Sequence, residues 1–312
     1  MHTPLRCWLQ SRGDQLRNVY RRYVPPRWRW RIHLLRRLGA LKFLKNRSLI
    51  WWANLRVHGS IAGNGILWKV PQVGLLNLGH HSTVSLRTHW IDHAQPIREL
   101  QAFVQRARGK NTFIDIGAAE GLFSLAFCRV ASGRAFAFEP SPIMLARLYD
   151  NLRRNPSLNV SVHDVALGSA NTTVTFRRVS DGMWLPSASG NIHVMMPVEH
   201  QHVRVTVALD DWCTANHVCP DMIKIDVEGL ELAVLEGAKR VVAATRPVIL
   251  LEVHPQRISA LGLSLDTLDA LSRQLRYRIE TLQGRVVEDV SRYVANSKED
   301  TLSVNVVLAP CS

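Results

Sequence analysis

The stretch Asn111-Thr-Phe-Ile-Asp-Ile-Gly-Ala-Ala-Glu-Gly121 constrains the fold of this chain more than any other. An apolar run, Phe113 to Ile116, has the continuous hydrophobicity of a strand covered on both faces, and it stops at Gly117. After Gly121, the residues Leu122, Phe123, Leu125, Ala126 and Val130 recur at helical spacing. Strand, glycine turn and helix start in that order make a place where exposed backbone N–H groups meet a nucleotide-like ligand.

The residues beyond it keep alternating between strand and helix patterns. Arg134 to Glu139 reads as a strand ending in a carboxylate, and Ser141-Pro142 supplies an N-cap and a first-turn proline for a helix to about Arg154. Further strands are expected at Asn159 to Val165, Met222 to Val227 and Val248 to Val253, with Arg278 to Leu282 and Leu302 to Leu308 as a closing pair. Thr172 to Val179 and Val203 to Leu209 alternate like two antiparallel strands, joined by a polar loop from Ser180 to Gln201. Such alternation predicts an α/β fold, a mainly parallel sheet with helices on both faces.

Charge separates the N-terminus from the rest. Residues 1–56 hold 14 Lys/Arg and one acid, Asp14, so nearly all of the net +14 lies there. Leu5, Trp8, Leu9, Leu16, Val19, Tyr20 and Tyr23 share one arc of a helical wheel, and Trp28 to Trp52 continues the basic, tryptophan-rich pattern. The reading is an amphipathic helical leader suited to an anionic membrane surface, with packing on the body or on a partner subunit, nucleic-acid binding and organelle targeting as alternatives. Residues 57–104 form a connecting segment of short strands, and 105–312 the main domain. His80, His81, His89 and His93 in the connecting segment carry no metal-binding signature and read as surface histidines. No apolar run approaches the ~18 residues of a membrane span. The five scattered cysteines suit reduced thiols, so the expected location is cytoplasmic, with the leader at the inner membrane surface.

The order of acids narrows the ligand. Glu139 closes the strand after the glycine turn, where a carboxylate accepts hydrogen bonds from ribose hydroxyls. A nicotinamide dinucleotide needs a G-x-G-x-x-G turn, whereas this chain has Gly117-Ala-Ala-Glu-Gly121, in which Glu120 would repel a pyrophosphate. A ligand with a ribose, a positive centre and no phosphate fits better, and S-adenosyl-L-methionine is one.

At this point the chain resembles a known family. Phe113-Ile-Asp-Ile-Gly-Ala-Ala-Glu-Gly121, Ala135-Phe-Ala-Phe-Glu-Pro-Ser-Pro142, Ile223-Lys-Ile-Asp-Val-Glu-Gly229 and Val248-Ile-Leu-Leu-Glu-Val-His254 are similar to blocks of the FkbM family of S-adenosylmethionine-dependent methyltransferases. Asn151-Leu-Arg-Arg-Asn155, Val165-Ala-Leu-Gly168 and Leu209-Asp-Asp-Trp212 fit the same order, so the resemblance spans roughly residues 105–255. It implies a Rossmann-like class I methyltransferase with a seven-stranded mixed sheet, one strand antiparallel, plus the basic helical extension. It also implies that Asp115, Gly117, Ala118 and Gly121 line the methionine end of the cofactor, that Glu139 holds the ribose, and that Asp164 and Val165 meet the adenine.

For the chemistry, Lys224, Asp226 and Glu228 alternate along the expected fourth strand and so share one face, and Glu252 and His254 share a face at the end of the next. Asp226, Glu228 or His254 can serve as general base, with Lys224 pairing a carboxylate or lowering the nucleophile's pKa. A divalent cation held by Asp226, Glu228, Glu252 and His254 is the less favoured alternative, and no metal set is assigned. The expected reaction is O-methylation of a sugar hydroxyl in a glycolipid, polysaccharide or glycosylated metabolite. The competing readings are a ribose methyltransferase of nucleic acid, disfavoured by acids at the reaction centre, and a non-catalytic cofactor-binding protein.

Overall fold

The structure is a computed structural model that describes residues 59–62, 65–70, 72–79, 82, 95–178, 184–186, 201–297 and 303–311. The basic leader, His80, His81, His89 and His93 of the connecting segment and most of the Ser180–Gln201 loop lie outside them. Contacts divide the chain into two compact units, Met1–Lys69 and Val70–Ser312. Of the first, the described part is an antiparallel hairpin formed by β1 (Gly59–Ala62) with the start of β2 (Gly65–Val70).

The second unit begins with β3 (Gly74–Leu78) and α1 (Gln95–Ala107), followed by β4 (Thr112–Ile116), α2 (Leu122–Ala131), β5 (Arg134–Phe138), α3 (Pro142–Arg154) and β6 (Val160–His163). Next come β7 (Ala166–Gly168), β8 (Thr172–Arg178), β9 (Trp184–Pro186), β10 (Gln201–Ala208) and α4 (Leu209–Asn216). The chain then forms β11 (Met222–Ile225), α5 (Glu231–Glu236), α6 (Lys239–Thr245), β12 (Val248–Val253), α7 (Pro255–Ala260) and α8 (Asp266–Gln274). It closes with β13 (Tyr277–Thr281), β14 (Val286–Val287), α9 (Val290–Asn296) and β15 (Val304–Pro310).

One mixed sheet organises these elements, in the order β14-β13-β15-β12-β11-β4-β5-β6. β12, β11, β4, β5 and β6 are parallel neighbours, and β15 runs antiparallel between β12 and β13. The sheet has eight strands rather than the expected seven. The extra one is the short β14, which folds back antiparallel on β13. The order reverses at β4, whose neighbours β5 and β11 continue the chain in opposite directions, and ligands bind at such switch points beyond the carboxyl ends of strands.

Local chemistry explains why these segments fold so. All five residues of β4 and all four of β11 are buried, as central parallel strands demand, and Phe113, Ile114 and Ile223 are wholly inaccessible. Ser141 caps α3 by accepting the Met144 N–H, and Pro142 occupies the first turn, as the sequence predicts. β8 and β10 pair antiparallel, in a separate four-stranded sheet ordered β7-β10-β8-β9. Asp210, in the Leu209-Asp-Asp-Trp212 block, acts structurally. Its carboxylate accepts the Arg240 and Val241 N–H groups at 2.9 and 2.7 Å, satisfying the start of α6. On the outer face of α3, Asn151 and Asn155 accept the Gly79 and Asn77 N–H groups at 2.8 and 3.0 Å, pinning β3 to the body.

Candidate active site

The glycine turn is built by close backbone approach. Gly117 has φ 77°, and its N–H donates to the Phe138 carbonyl at 2.9 Å. A Cβ there would run into the backbone carbonyl of Asp226, so any side chain would push the β4 turn away from the end of β11. The Ala119 N–H, which would otherwise be free to face a phosphate, donates to Glu139 Oε2 at 2.8 Å, while Glu139 Oε1 accepts the Ser141 N–H at 2.8 Å. Burial pushes the Glu139 carboxyl up to about 7 in spite of these two donors. Glu120 differs from expectation. Its carboxylate is paired with Arg147 Nη1 at 2.8 Å, so its charge is neutralised and is not what excludes a pyrophosphate.

Beside the turn lies a buried network centred on Lys224. Its register partner on β4 is Asp115, so the two side chains leave the sheet on one face. Lys224 Nζ is 2.9 Å from Asp226 Oδ2, 3.9 Å from Glu99 Oε1 on α1, and 4.7 Å from the centroid of the Phe123 ring. Burial opposes the lysine's charge, but Asp226, Glu99, Glu252 and Asp115 outweigh it and hold the ammonium above its ordinary pKa. For Asp226, burial is likewise outweighed by Lys224 and His254, which hold the carboxyl below its ordinary value. Burial wins at Asp115, whose carboxyl rises although Lys224 and the Ser124 hydroxyl, donating at 2.6 Å, oppose it. It also wins at Glu99, which reaches about 8, and at Glu252, where Asp226 adds to it. Lys224 is therefore an internal counter-ion whose principal partner is Asp226.

The expected strand does not run through Glu228. β11 ends at Ile225, and the chain enters a turn in which Glu228 has φ 59° and Gly229 φ 112°. A left-handed glutamate costs about 1 kcal/mol, and a Cβ on Gly229 would sit 2.8 Å from Arg257 Cβ. This turn, rather than strand alternation, carries Glu228 to His254, with 3.1 Å between Glu228 Oε2 and His254 Nε2. Arg257, on α7, pairs with Glu228 as well. His254 Nδ1 lies 2.8 Å from Glu231 Oε1, and its Nε2 3.9 Å from Glu252 Oε1. Burial would lower the imidazole's pKa, but the hydrogen bond to Glu231 and the charges of Asp226, Glu231 and Glu252 raise it to about 9.

A cavity of about 280 Å³ joins the two parts. Gly117, Ala119 and Glu139 line it from the glycine turn, Val165 and Phe176 from the neighbouring segments, and Asp226 and Glu228 from the end of β11. Of the residues expected to meet the cofactor, Gly117, Glu139 and Val165 line this cavity. Asp115, Ala118 and Gly121 build the turn without lining it, and Asp164 is exposed. A larger open cleft, about 530 Å³, runs along α3 past Arg147 and Asp150, but no acid–histidine cluster adjoins it among the described residues. Asp226, Glu228 and His254 each offer a donor atom within 4.8 Å of the others, so three of the four donors considered for a cation meet. Lys224 and Arg257 already counter the charges of the two carboxylates.

Sequence reasoning missed Glu99, Arg257, Glu231 and Phe176. Glu231 carried a faint signal, an acid three residues after Glu228 that points into the core; Glu99 carried none, because only tertiary packing brings α1 to β11.

Comparison with known proteins places this geometry in context. The profile of the family described as "Methyltransferase FkbM domain" matches residues 115–279. The chain is similar to "2-O-methyltransferase NoeI" of Sinorhizobium fredii, 31% identical over 146 residues covering 43% of this chain and 59% of that protein. It is also similar to "Hexuronic acid methyltransferase AglP" of Haloferax volcanii, 26% identical over 156 residues covering 50% and 61%. The chain thus spans about three fifths of the length of these two curated relatives. Among solved structures, "Methyltransferase FkbM from Methylobacillus flagellatus KT" aligns with a TM-score of 0.42 and 21% identity over 64% of this chain and 44% of that one. Among the described residues, no helix is long and apolar enough to cross a membrane.

Proposed function

The chain belongs to the FkbM methyltransferase family, and from that premise we propose that it methylates a hydroxyl of a sugar, using S-adenosyl-L-methionine. The observation that carries this reading is that one cavity is lined both by Glu139, beyond the strand after the glycine turn, and by Asp226 and Glu228 beside it. The names of two relatives, one specifying a 2-O position and one a hexuronic acid, support a carbohydrate acceptor, which we place in a glycolipid, polysaccharide or glycosylated metabolite.

The residues present fit that cofactor. Each Glu139 oxygen accepts one backbone N–H and keeps a lone pair for a ribose hydroxyl. Val165 and Phe138 offer apolar surface to a base. When bound, the cofactor supplies a methyl group on a positively charged sulfur, which leaves as a neutral thioether. The chain must align the acceptor oxygen with that carbon and receive its proton. Glu228, at the cavity wall on the turn beyond β11, is taken as the group that receives it. Asp226 lines the same cavity, but Lys224 and His254 hold its carboxyl below its ordinary pKa and make it the weaker base, and His254 has a carboxylate at each ring nitrogen.

The test is transfer of labelled methyl from the cofactor into extracted glycolipid, polysaccharide and RNA fractions. Label in a carbohydrate fraction is expected, with Glu228→Gln lowering kcat by about 100-fold or more while cofactor affinity is kept. Label confined to RNA, or unchanged turnover in the variant, would overturn the acceptor class or the role of Glu228 respectively.

A further inference from the structure

We infer that Glu231 is a positioning residue that fixes the ring of His254 and thereby aims its Nε2 at Glu228. The inference deepens the proposed function and rests on that reading for its effect on turnover. Its geometric content stands apart from it.

Glu231 is 1% exposed, and its Oε1 lies 2.8 Å from His254 Nδ1. The same oxygen accepts the Gly229 N–H at 2.9 Å, while no hydrogen bond reaches Oε2 among the described residues. His254 is 4% exposed, and its other nitrogen faces Glu228 Oε2 at 3.1 Å. An imidazole so enclosed has two ring orientations, and they present different atoms to a neighbour. A carboxylate accepts and cannot donate, so Glu231 requires a proton on Nδ1 and rejects the flipped ring, which would offer it a carbon. Burying a carboxylate with one oxygen unmatched is costly, and an apolar residue would serve packing better. One purely structural role remains for it, holding the Glu228-Gly229 turn through the Gly229 N–H, and a neutral glutamine oxygen would do that equally well.

This difference sets the experiment, on the full chain. Glu231→Gln keeps the shape and the acceptor for Gly229 but removes the charge; Glu231→Asp keeps the charge on a shorter arm. The expected result for Glu231→Gln is a fall in kcat of at least about tenfold, with cofactor Kd and KM within about twofold and partial recovery in Glu231→Asp. In protein labelled with nitrogen-15 at histidine, the wild-type His254 Nδ1 should carry a proton whose resonance lies at low field, and that resonance should move upfield in Glu231→Gln. Two outcomes overturn the inference: kcat within twofold of wild type in Glu231→Gln, or a wild-type ring with Nδ1 unprotonated. Should Glu231→Gln not fold, the wild-type nitrogen spectrum decides. Should the wild-type protein methylate no acceptor, the activity reading fails, and the spectrum still tests what Glu231 holds.

Discussion

Replacing Glu139 by glutamine tests the cofactor side of the cavity most directly. In the native protein both carboxylate oxygens accept backbone N–H groups, from Ala119 and Ser141, each at 2.8 Å. Glutamine has one acceptor oxygen, so one of the two amides would face an NH₂ group instead. An unmatched buried donor costs about 1–3 kcal/mol of stability, in the free and the bound protein alike. What binding registers is the loss of charge-assisted hydrogen bonds to a ribose diol, about 1.5–3 kcal/mol, which is roughly 10- to 200-fold in Kd. Titration calorimetry with S-adenosyl-L-methionine measures it. The pH dependence gives a second signature. Burial lifts the Glu139 carboxyl to about 7, and the ionised form is the better acceptor for hydroxyls. Affinity of the wild type should therefore rise as pH rises through about 7, and affinity of the variant should be flat. Stability runs the other way. The folded pKa exceeds the unfolded one, so the contribution of this group is fully present below the ordinary glutamate pKa and is lost as pH rises through about 7. Wild-type affinity in the variant, or affinity falling as pH rises from about 6 to about 8, would refute the assignment of Glu139 to the ribose.

Two further outcomes follow from other contacts, and a third from the sequence of residues 1–56. Lys224→Met removes the counter-ion of half-buried Asp226 and should destabilise the fold by about 2–4 kcal/mol, measured by urea unfolding; a change below about 1 kcal/mol would show that the network is not held by Lys224. Gly117→Ala forces a methyl group toward the Asp226 carbonyl at positive φ and should cost about 2–4 kcal/mol from backbone strain and overpacking together, with loss of cofactor binding; a stable, binding-competent variant would disprove the close approach. Anionic liposomes should retain the full chain and release a variant lacking residues 1–56; equal retention of both would sink the membrane role of the leader.

Much of the site was legible from residues alone because its pieces are local. The continuous apolar run of β4, its stop at Gly117 and the Ser141-Pro142 cap each follow from short-range preferences, and Glu139 falls at the end of β5 once that strand is recognised. The register of Lys224 opposite Asp115, by contrast, is visible only once the two strands are paired in the structure. What misled was periodicity carried too far. Lys224, Asp226 and Glu228 share a face only while the chain stays extended, and it leaves the strand after Ile225. Two successive positive φ values at Glu228 and Gly229 are permitted by the glycine but not announced by it.

By itself, then, the sequence determined the alternation of strands and helices, the position of the glycine turn and the identity of the acids that could serve chemistry there. Those are consequences of side-chain volume, apolar periodicity and backbone freedom within a few residues. Only tertiary structure decided which acids keep their charge and which side chain meets which. Glu99 reaches Lys224 across 125 positions, Glu231 reaches His254 across 23, and Arg147 cancels Glu120 across 27. Charge pairing and desolvation depend on distances in space, and the sheet sets those distances when β11, β12 and β4 come to lie side by side. The glycine turn could be read in advance; the charged surroundings that give it a use could not.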